Sequence, residues 1–138
     1  FEGKGVIPDH ATPSIDALAT AHRLALADLA RTDPARQADA DWFLSQIAAQ
    51  ARPVSLTLAE LRAIAGRYEG RRIELIDGKP FYIWRDRFRL ALEPLGTDLF
   101  GIEGVRDFRM RVVRKGTRIA ALERVNRDGT TQLYVRTD

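Results

Sequence analysis

The spacing of apolar residues changes near residue 66, and no other feature of the chain constrains its fold as strongly. Before this point apolar residues recur every three or four positions, which is typical of amphipathic helices. Beyond it they alternate with polar residues, which is typical of half-buried β-strands. The sequence therefore predicts an α+β fold in which helices come first and antiparallel strands follow.

Two helices are predicted in the N-terminal part, over residues 13–31 and 34–51. Each begins with a proline that follows an N-cap residue, Thr12 or Asp33, and proline is favoured at the first helical position. Their apolar stripes contain Ile15, Leu18, Ala25 and Leu29 in the first helix and Phe43, Ile47 and Ala51 in the second. His22 lies on the first stripe, where we expect it to be packed or hydrogen-bonded rather than a ligand.

A third helix is predicted over residues 58–65, and both of its ends carry signals. Thr57 and Glu60 have the spacing of a capping box, and Leu56 and Leu61 can form the hydrophobic staple across it. Gly66 is expected to stop the helix in the left-handed conformation.

About seven short strands are predicted after this helix. Two of them flank Asp77-Gly78, which is the strongest short hairpin signal. The others are expected over residues 87–94, 97–102, 108–114, 118–125 and 130–136, separated by glycine-containing turns. Consecutive antiparallel strands of this kind predict a small β-barrel or a strongly curved meander. Alternation also predicts that Arg109 and Arg111 point away from the core.

The composition changes near Pro53, so two regions are predicted, residues 1–53 and residues 54–138. The first 52 residues contain five basic and seven acidic side chains, whereas the remainder contains seventeen basic and twelve acidic ones. Nineteen of the 22 basic residues are arginine, which alone does not indicate nucleic-acid binding because no recognition motif accompanies it. We therefore expect no nucleic-acid partner, and no apolar run is long enough for a membrane span.

No catalytic, cofactor-binding or metal-binding residue is predicted. The three serines Ser14, Ser45 and Ser55 lie in helix-start or linker contexts, without a nucleophile elbow. Four carboxylates lie in turns, where their side chains are expected to cap the backbone: Asp77, Asp86, Asp98 and Asp128. The chain has no cysteine, and its histidines and carboxylates lack the spacing of metal ligands. The opening Gly-Lys-Gly also lacks the frame of a phosphate-binding loop.

The chain opens with FEGKGVIPD, and a predicted helix rich in Ala and Leu follows. This segment resembles the closing segment of the tail-specific, or C-terminal processing, serine protease family. That family includes relatives similar to interphotoreceptor retinoid-binding protein. The residues that carry this resemblance are Phe1, Gly3, Gly5, Val6, Pro8 and Asp9. His10 departs from the apolar residue that the family pattern has next. Many bacterial members continue into a domain that resembles residues 65–116, and the matching residues are Gly66, Tyr68, Leu92, Pro94, Leu95, Asp98, Phe100 and Asp107 to Arg111.

The resemblance implies that the chain is a piece of a longer serine-type peptidase. In that family the nucleophilic serine and its general base precede the opening motif, so no catalytic residue is carried onto this sequence. Residues 1–53 would be the end of the protease domain with a helical linker, and residues 54–138 would be an accessory β domain that positions substrate or stabilises the protease. The missing protease domain and a peptide or protein substrate are then the expected partners, in the periplasm or outside the cell.

Two other functions remain open from the residues alone. A small barrel could enclose an apolar ligand or peptide in a non-proteolytic relative, although seven short strands with large apolar residues more often form a filled core. A face containing Arg87, Arg89, Arg109 and Arg111 could instead bind nucleic acid or an anionic surface. Because residues 1–51 look adapted to complete another domain, we also expect the isolated chain to form a two-fold dimer.

Overall fold

The computed structural model describes residues 17–32 and 36–138, and the chain divides into two compact units, 1–47 and 48–138. Helix α1 spans Ala17–Thr32 and helix α2 spans Gln37–Ala51, close to the two predicted helices. In α1, Leu18 is 83% exposed, and His22 is exposed rather than packed as predicted. The motif residues Phe1, Gly3, Gly5, Val6, Pro8 and Asp9, with the N-caps Thr12 and Asp33, lie outside the described residues.

Helix α3 spans Leu58–Ile64 and begins as predicted. The Thr57 hydroxyl accepts a hydrogen bond from the Glu60 N–H, while the Glu60 carboxylate accepts one from the Thr57 N–H at 2.7 Å. This reciprocal pair lowers the pKa of Glu60, mainly through the Thr57 backbone bond. The predicted stop at Gly66 is wrong, because the helix already ends at Ala65, which has an extended backbone and donates its N–H to the Leu61 carbonyl.

Eight antiparallel strands follow in a single sheet, and each strand pairs with the next along the chain. They are β1 Gly66–Tyr68, β2 Arg71–Ile76, β3 Lys79–Trp84, β4 Phe88–Pro94, β5 Leu99–Ile102, β6 Val105–Lys115, β7 Arg118–Asn126 and β8 Thr131–Val135. The seven predicted strands are confirmed as β2 to β8. Strand β1 was missed because three residues are too few to display an alternating pattern.

The sheet curls until its first and last strands meet. The Glu69 N–H donates to the Val135 carbonyl at 3.0 Å, and the Thr137 N–H donates to the Arg67 carbonyl at 2.9 Å. Between these bonds Tyr68 pairs with Arg136. The result is the predicted small antiparallel barrel, nearly closed, with a short seam because β1 has only three residues.

The barrel interior is filled by apolar side chains. The buried cluster contains Leu61, Ile64, Tyr68, Ile73, Tyr82, Leu92, Phe100, Ile102, Met110, Val112, Ile119, Leu122 and Tyr134. Two of these, Leu61 and Ile64, come from α3, which therefore closes the end of the barrel where β1 begins. Leu56, the other half of the predicted staple, packs against the same cluster.

Consecutive antiparallel strands place alternate turns at opposite ends of the barrel. The Asp77-Gly78 turn lies at the α3 end, and both residues have positive φ, as a two-residue hairpin requires. The β3–β4 turn lies at the other end, where Arg85 and Asp86 also have left-handed φ values of 54° and 53°. Such values are uncommon for residues other than glycine and cost about 1 kcal/mol or more each.

The acidic turn residues divide between two roles. Asp128 accepts hydrogen bonds from the Thr130 N–H and hydroxyl, as predicted, and these bonds lower its pKa. In Asp98, by contrast, both carboxylate oxygens accept a hydrogen bond from Arg114 Nε, at 2.9 and 3.0 Å. The Asp98 carboxylate therefore holds a side chain rather than the backbone.

The two arginines predicted to point away from the core have different environments. Arg111 is exposed and pairs with Glu123 across β6 and β7. Arg109 lies on the same outer face by alternation but is only 7% exposed, and burial lowers its pKa. The outer surface of β6 is therefore not the continuous exposed arginine face that an anionic surface would contact. Among the helices that the structure describes, none has the length and apolarity needed to cross a membrane.

Candidate functional site

An open groove of about 1010 Å³ runs along the first strands of the barrel. We call it the β1–β2 groove. Its lining residues are Gly66, Arg67, Tyr68, Gly70, Arg71, Arg72, Ile73, Glu74, Ile83, Arg85, Asp86, Thr137 and Asp138. Strand register places Arg67 beside Arg72 and Arg72 beside Ile83, on the face opposite to the buried Ile73 and Tyr82. The groove therefore lies on the outside of the barrel.

Two residues of the sequence motif, Gly66 and Tyr68, form part of this wall. Gly66 has a φ of 154°, and a Cβ added there would lie 2.7 Å from Arg136 Nη2 and 2.9 Å from the Asp138 carboxylate oxygens. The Tyr68 hydroxyl donates to the Ile64 carbonyl at 2.7 Å, and burial raises its pKa. Both residues thus support the junction between α3 and β1. Asp77 and Gly78, which were predicted as a hairpin turn, form the β2–β3 turn and do not line the groove.

The C-terminal segment fastens α3 to the barrel at one end of the groove. Arg136 donates from Nη1 to the Ala63 carbonyl at 2.8 Å and from Nη2 to the Ala65 carbonyl at 3.0 Å. These acceptors lie at the C-terminus of the helix, where a cation is favoured. Asp138 accepts from Arg136 Nε at 2.8 Å and from the Arg67 N–H at 2.9 Å. The bond from Arg67 is the main reason that the pKa of Asp138 is lowered.

Every carboxylate in the groove has a partner. Arg72 pairs with both Glu74 and Asp86, so two acidic side chains share one guanidinium. Asp138 is held by Arg136 and by the Arg67 backbone, as described above. Each groove carboxylate thus already has a hydrogen-bonding or ion-pair partner within the protein.

The remaining groove arginines are not paired with carboxylates among the described residues. The Arg67 guanidinium makes no ion pair there, and Arg85 lies over the Trp84 ring, 4.6 Å from its centroid. Arg71 donates to the neutral Tyr82 hydroxyl at 2.7 Å and the Glu69 carbonyl at 3.1 Å, with its guanidinium 3.6 Å from the Tyr134 ring centroid. The guanidinium groups of Arg67 and Arg85 thus carry positive charge that no described carboxylate pairs with, whereas Arg71 is engaged with the aromatic residues of the interior.

The barrel interior offers less room for a ligand than the groove. Met110 and Leu122 are completely buried, and Phe100 is 1% exposed. At the end opposite α3, Arg71 covers Tyr134 and Arg124 lies 4.0 Å from the Phe108 ring centroid, so two arginines cover the aromatic layer. Within the described residues every buried side-chain nitrogen and oxygen has a hydrogen-bond partner. These observations favour the filled core over an enclosed apolar ligand.

The described residues do not form an arrangement that suggests covalent catalysis. The Ser45 hydroxyl donates to the Trp42 carbonyl at 2.8 Å within α2, and Ser55 is exposed in the segment before α3. Ser14 lies outside the described residues. Within residues 17–32 and 36–138, no group of three or more histidine or acidic side chains is placed to hold a metal ion.

Comparison of the chain with protein-family models, with curated proteins and with solved structures found no match.

Sequence reasoning missed the groove and its arginines. Residues 66–74 and 136–138 are about 70 positions apart in the sequence, and only the closing of the barrel brings them together. The run Gly70-Arg71-Arg72 was a local signal of positive charge in the sequence. Its two arginines point to opposite faces of β2, and only the three-dimensional structure shows that they have different interaction partners.

Proposed function

We propose that the chain is the non-catalytic C-terminal part of a serine-type peptidase of the tail-specific protease family, and that residues 54–138 form an accessory domain that positions a polypeptide substrate. The observation that carries substrate positioning is the open β1–β2 groove, whose wall contains the motif residues Gly66 and Tyr68. An open groove along neighbouring strands can accommodate an extended polypeptide segment. The opening motif supports the family assignment.

The remaining parts of the proposal follow from the same family resemblance. Residues 1–53 are the end of the protease domain and a helical linker, and the protease domain itself is the principal partner. The location is periplasmic or extracellular. The peptidase activity belongs to the longer protein, so the chain alone is not an enzyme.

Substrate positioning can be tested by blocking the groove. We expect a fluorescently labelled unstructured 12-residue peptide to bind the chain, as measured by fluorescence anisotropy, and Thr137→Trp to abolish this binding. Thr137 lines the groove and contributes its backbone N–H to the barrel seam, so the side chain can be enlarged without removing that bond. Thr117→Trp is the matched control, because Thr117 is exposed in the β6–β7 turn. Equal binding by both variants would reject the groove as the binding surface.

The peptidase relationship has a separate test. An active-site serine probe should label the full-length protein but not residues 1–138, and residues 1–138 should hydrolyse no peptide or ester. If the full-length protein is not labelled, the second candidate function, a binding module in a non-proteolytic relative, replaces the first. The groove is the observation that keeps this second function open, because it does not depend on a protease partner.

A further inference from the structure

We infer that the β1–β2 groove selects acidic polypeptide segments, with the guanidinium groups of Arg67 and Arg85 binding carboxylates of the ligand. This inference rests on the proposed polypeptide-binding function of the same groove. It adds the chemistry of the ligand, which neither the sequence motif nor the family resemblance specifies.

The pairing of charges in the groove is the first argument. Four arginines and three carboxylates line it, and all three carboxylates are engaged by Arg72, by Arg136 or by the Arg67 backbone. The guanidinium groups of Arg67 and Arg85 have no carboxylate partner among the described residues. A ligand carboxylate would therefore gain charge-assisted hydrogen bonds without displacing an existing ion pair.

The positions of the two arginines are the second argument. Arg67 lies on β1, next to the C-terminal segment, whereas Arg85 follows β3 in the β3–β4 turn, so they lie in different parts of the groove. Between them lie Arg72 of β2, which pairs with Glu74 and Asp86, and Ile83 of β3, which is 1% exposed. A ligand with spaced carboxylates, rather than one compact anion, is therefore needed to contact both cations.

The conformation of Arg85 is a third argument. Its φ of 54° is unusual for a residue with a side chain, and the adjacent Asp86 has the same conformation while it pairs with Arg72. This ion pair links the turn to β2, and the turn carries Arg85 beside the groove.

Polypeptide is favoured over nucleic acid because no exposed aromatic ring lies among the lining residues that the structure describes. Tyr68 is the one aromatic residue of the lining, and it is 2% exposed with its hydroxyl bonded to Ile64, so it offers no face on which a base could stack.

The experiment compares three labelled 12-residue peptides with the same neutral residues at alternate positions and Glu, Gln or Lys at the others. We expect the Glu peptide to bind residues 1–138 about tenfold or more tightly than the Gln peptide at low salt, with the ratio shrinking as salt is added. The Lys peptide should bind more weakly than either.

Three arginine variants identify the responsible groups. Arg67→Gln and Arg85→Gln should each weaken binding of the Glu peptide by about three- to tenfold and leave binding of the Gln peptide unchanged. Arg89→Gln is the matched control, because Arg89 is an exposed arginine of β4 that does not line the groove. Urea denaturation midpoints equal to wild type will show that the variants fold.

The possible outcomes separate the two proposals. If the Glu and Gln peptides bind equally and Thr137→Trp blocks both, the acidic selectivity is wrong and the polypeptide-binding function stands. If no peptide binds, both are wrong. Tighter binding of a 12-nucleotide oligothymidine than of the Glu peptide, also blocked by Thr137→Trp, would overturn the acidic-peptide assignment in favour of nucleic acid.

Discussion

At the scale of single residues, Arg136 connects three parts of the fold. Its guanidinium bonds to the last carbonyls of α3, its Nε bonds to Asp138, and its backbone continues the pairing between β8 and β1. Gly66 is required where this side chain passes. The glycine was predicted to have a positive φ, which is confirmed, but its reason is the space taken by Arg136 and Asp138 rather than a left-handed helix stop.

We expect Gly66→Val to lower the free energy of unfolding by about 2 kcal/mol or more, because the added Cβ would displace Arg136 from the helix carbonyls. Gly129→Ala is the control. Gly129 also has a positive φ, of 88°, but nothing lies within 4 Å of an added Cβ, so only the backbone cost of about 1 kcal/mol applies. Urea denaturation measures both, and equal losses would contradict the steric explanation.

Asp138 should make the stability depend on pH at acid pH. Its pKa is lowered in the folded protein, first by the bond from the Arg67 N–H, so folding is favoured by the ionised form. This contribution is complete above about pH 4, the ordinary range of an aspartate, and is lost as the pH falls through the lowered folded pKa. Asp138→Asn should therefore be less stable than wild type at pH 7, and the difference should shrink toward pH 2. If the curves of urea midpoint against pH for wild type and Asp138→Asn are parallel, this assignment is contradicted.

At the scale of elements, α3 is a short helix whose stability depends on its neighbours. It has seven residues, too few to be stable alone, and it is held by the capping box, by Arg136 and by two buried side chains. Its amphipathic pattern and its start were readable from the sequence. That it closes one end of a barrel was not, because the strands it covers come later in the chain.

Removing a buried side chain of α3 should destabilise the whole barrel. We expect Ile64→Ala to cost about 2 to 4 kcal/mol, since Ile64 is 2% exposed within the interior cluster. Leu58→Ala, on the exposed side of the same helix, should cost less than about 1 kcal/mol, because Leu58 is 47% exposed. Chemical denaturation followed by tryptophan fluorescence compares them, and similar losses would show that α3 does not contribute to the core as described.

At the scale of the whole molecule, every member of the interior cluster among the described residues comes after position 55. We therefore expect residues 48–138 to fold without the preceding helices and to give the dispersed amide spectrum of a β-barrel in solution. A spectrum typical of an unfolded chain would mean that residues 1–47 are required for folding. The truncated chain should retain peptide binding, because every lining residue of the groove lies within it.

Self-association is the second expectation at this scale, and it concerns the helical part. Leu18 is 83% exposed on α1, so an apolar side chain is available to a partner. We expect residues 1–138 to form a two-fold dimer through α1 and α2, and residues 48–138 to be monomeric. Light scattering coupled to size exclusion at about 100 µM measures both masses, and a monomer of residues 1–138 at that concentration would contradict the prediction.

Most of the fold is determined by local sequence patterns. The change of apolar spacing predicts helices before strands, the Thr57–Glu60 pair defines the start of α3, and Asp77-Gly78 defines a hairpin with its register. These signals work because each depends on residues within a few positions of one another. The same patterns predict that β6 has one buried face, which Met110 and Val112 confirm.

Only the tertiary structure decides the features that join distant parts of the chain. Strand β1 exists because its three residues pair with β2 and meet residues 135–137, and no three-residue segment specifies such pairing alone. Alternation predicts that Arg109 faces away from the core, but it does not predict that this residue is buried on the outer face. The β1–β2 groove and the pairing of its charges arise when the barrel closes, because Asp138 and Arg136 then reach Arg67 and α3. Contacts across about 70 residues leave no local pattern, since their partners are chosen by the geometry of the closed sheet.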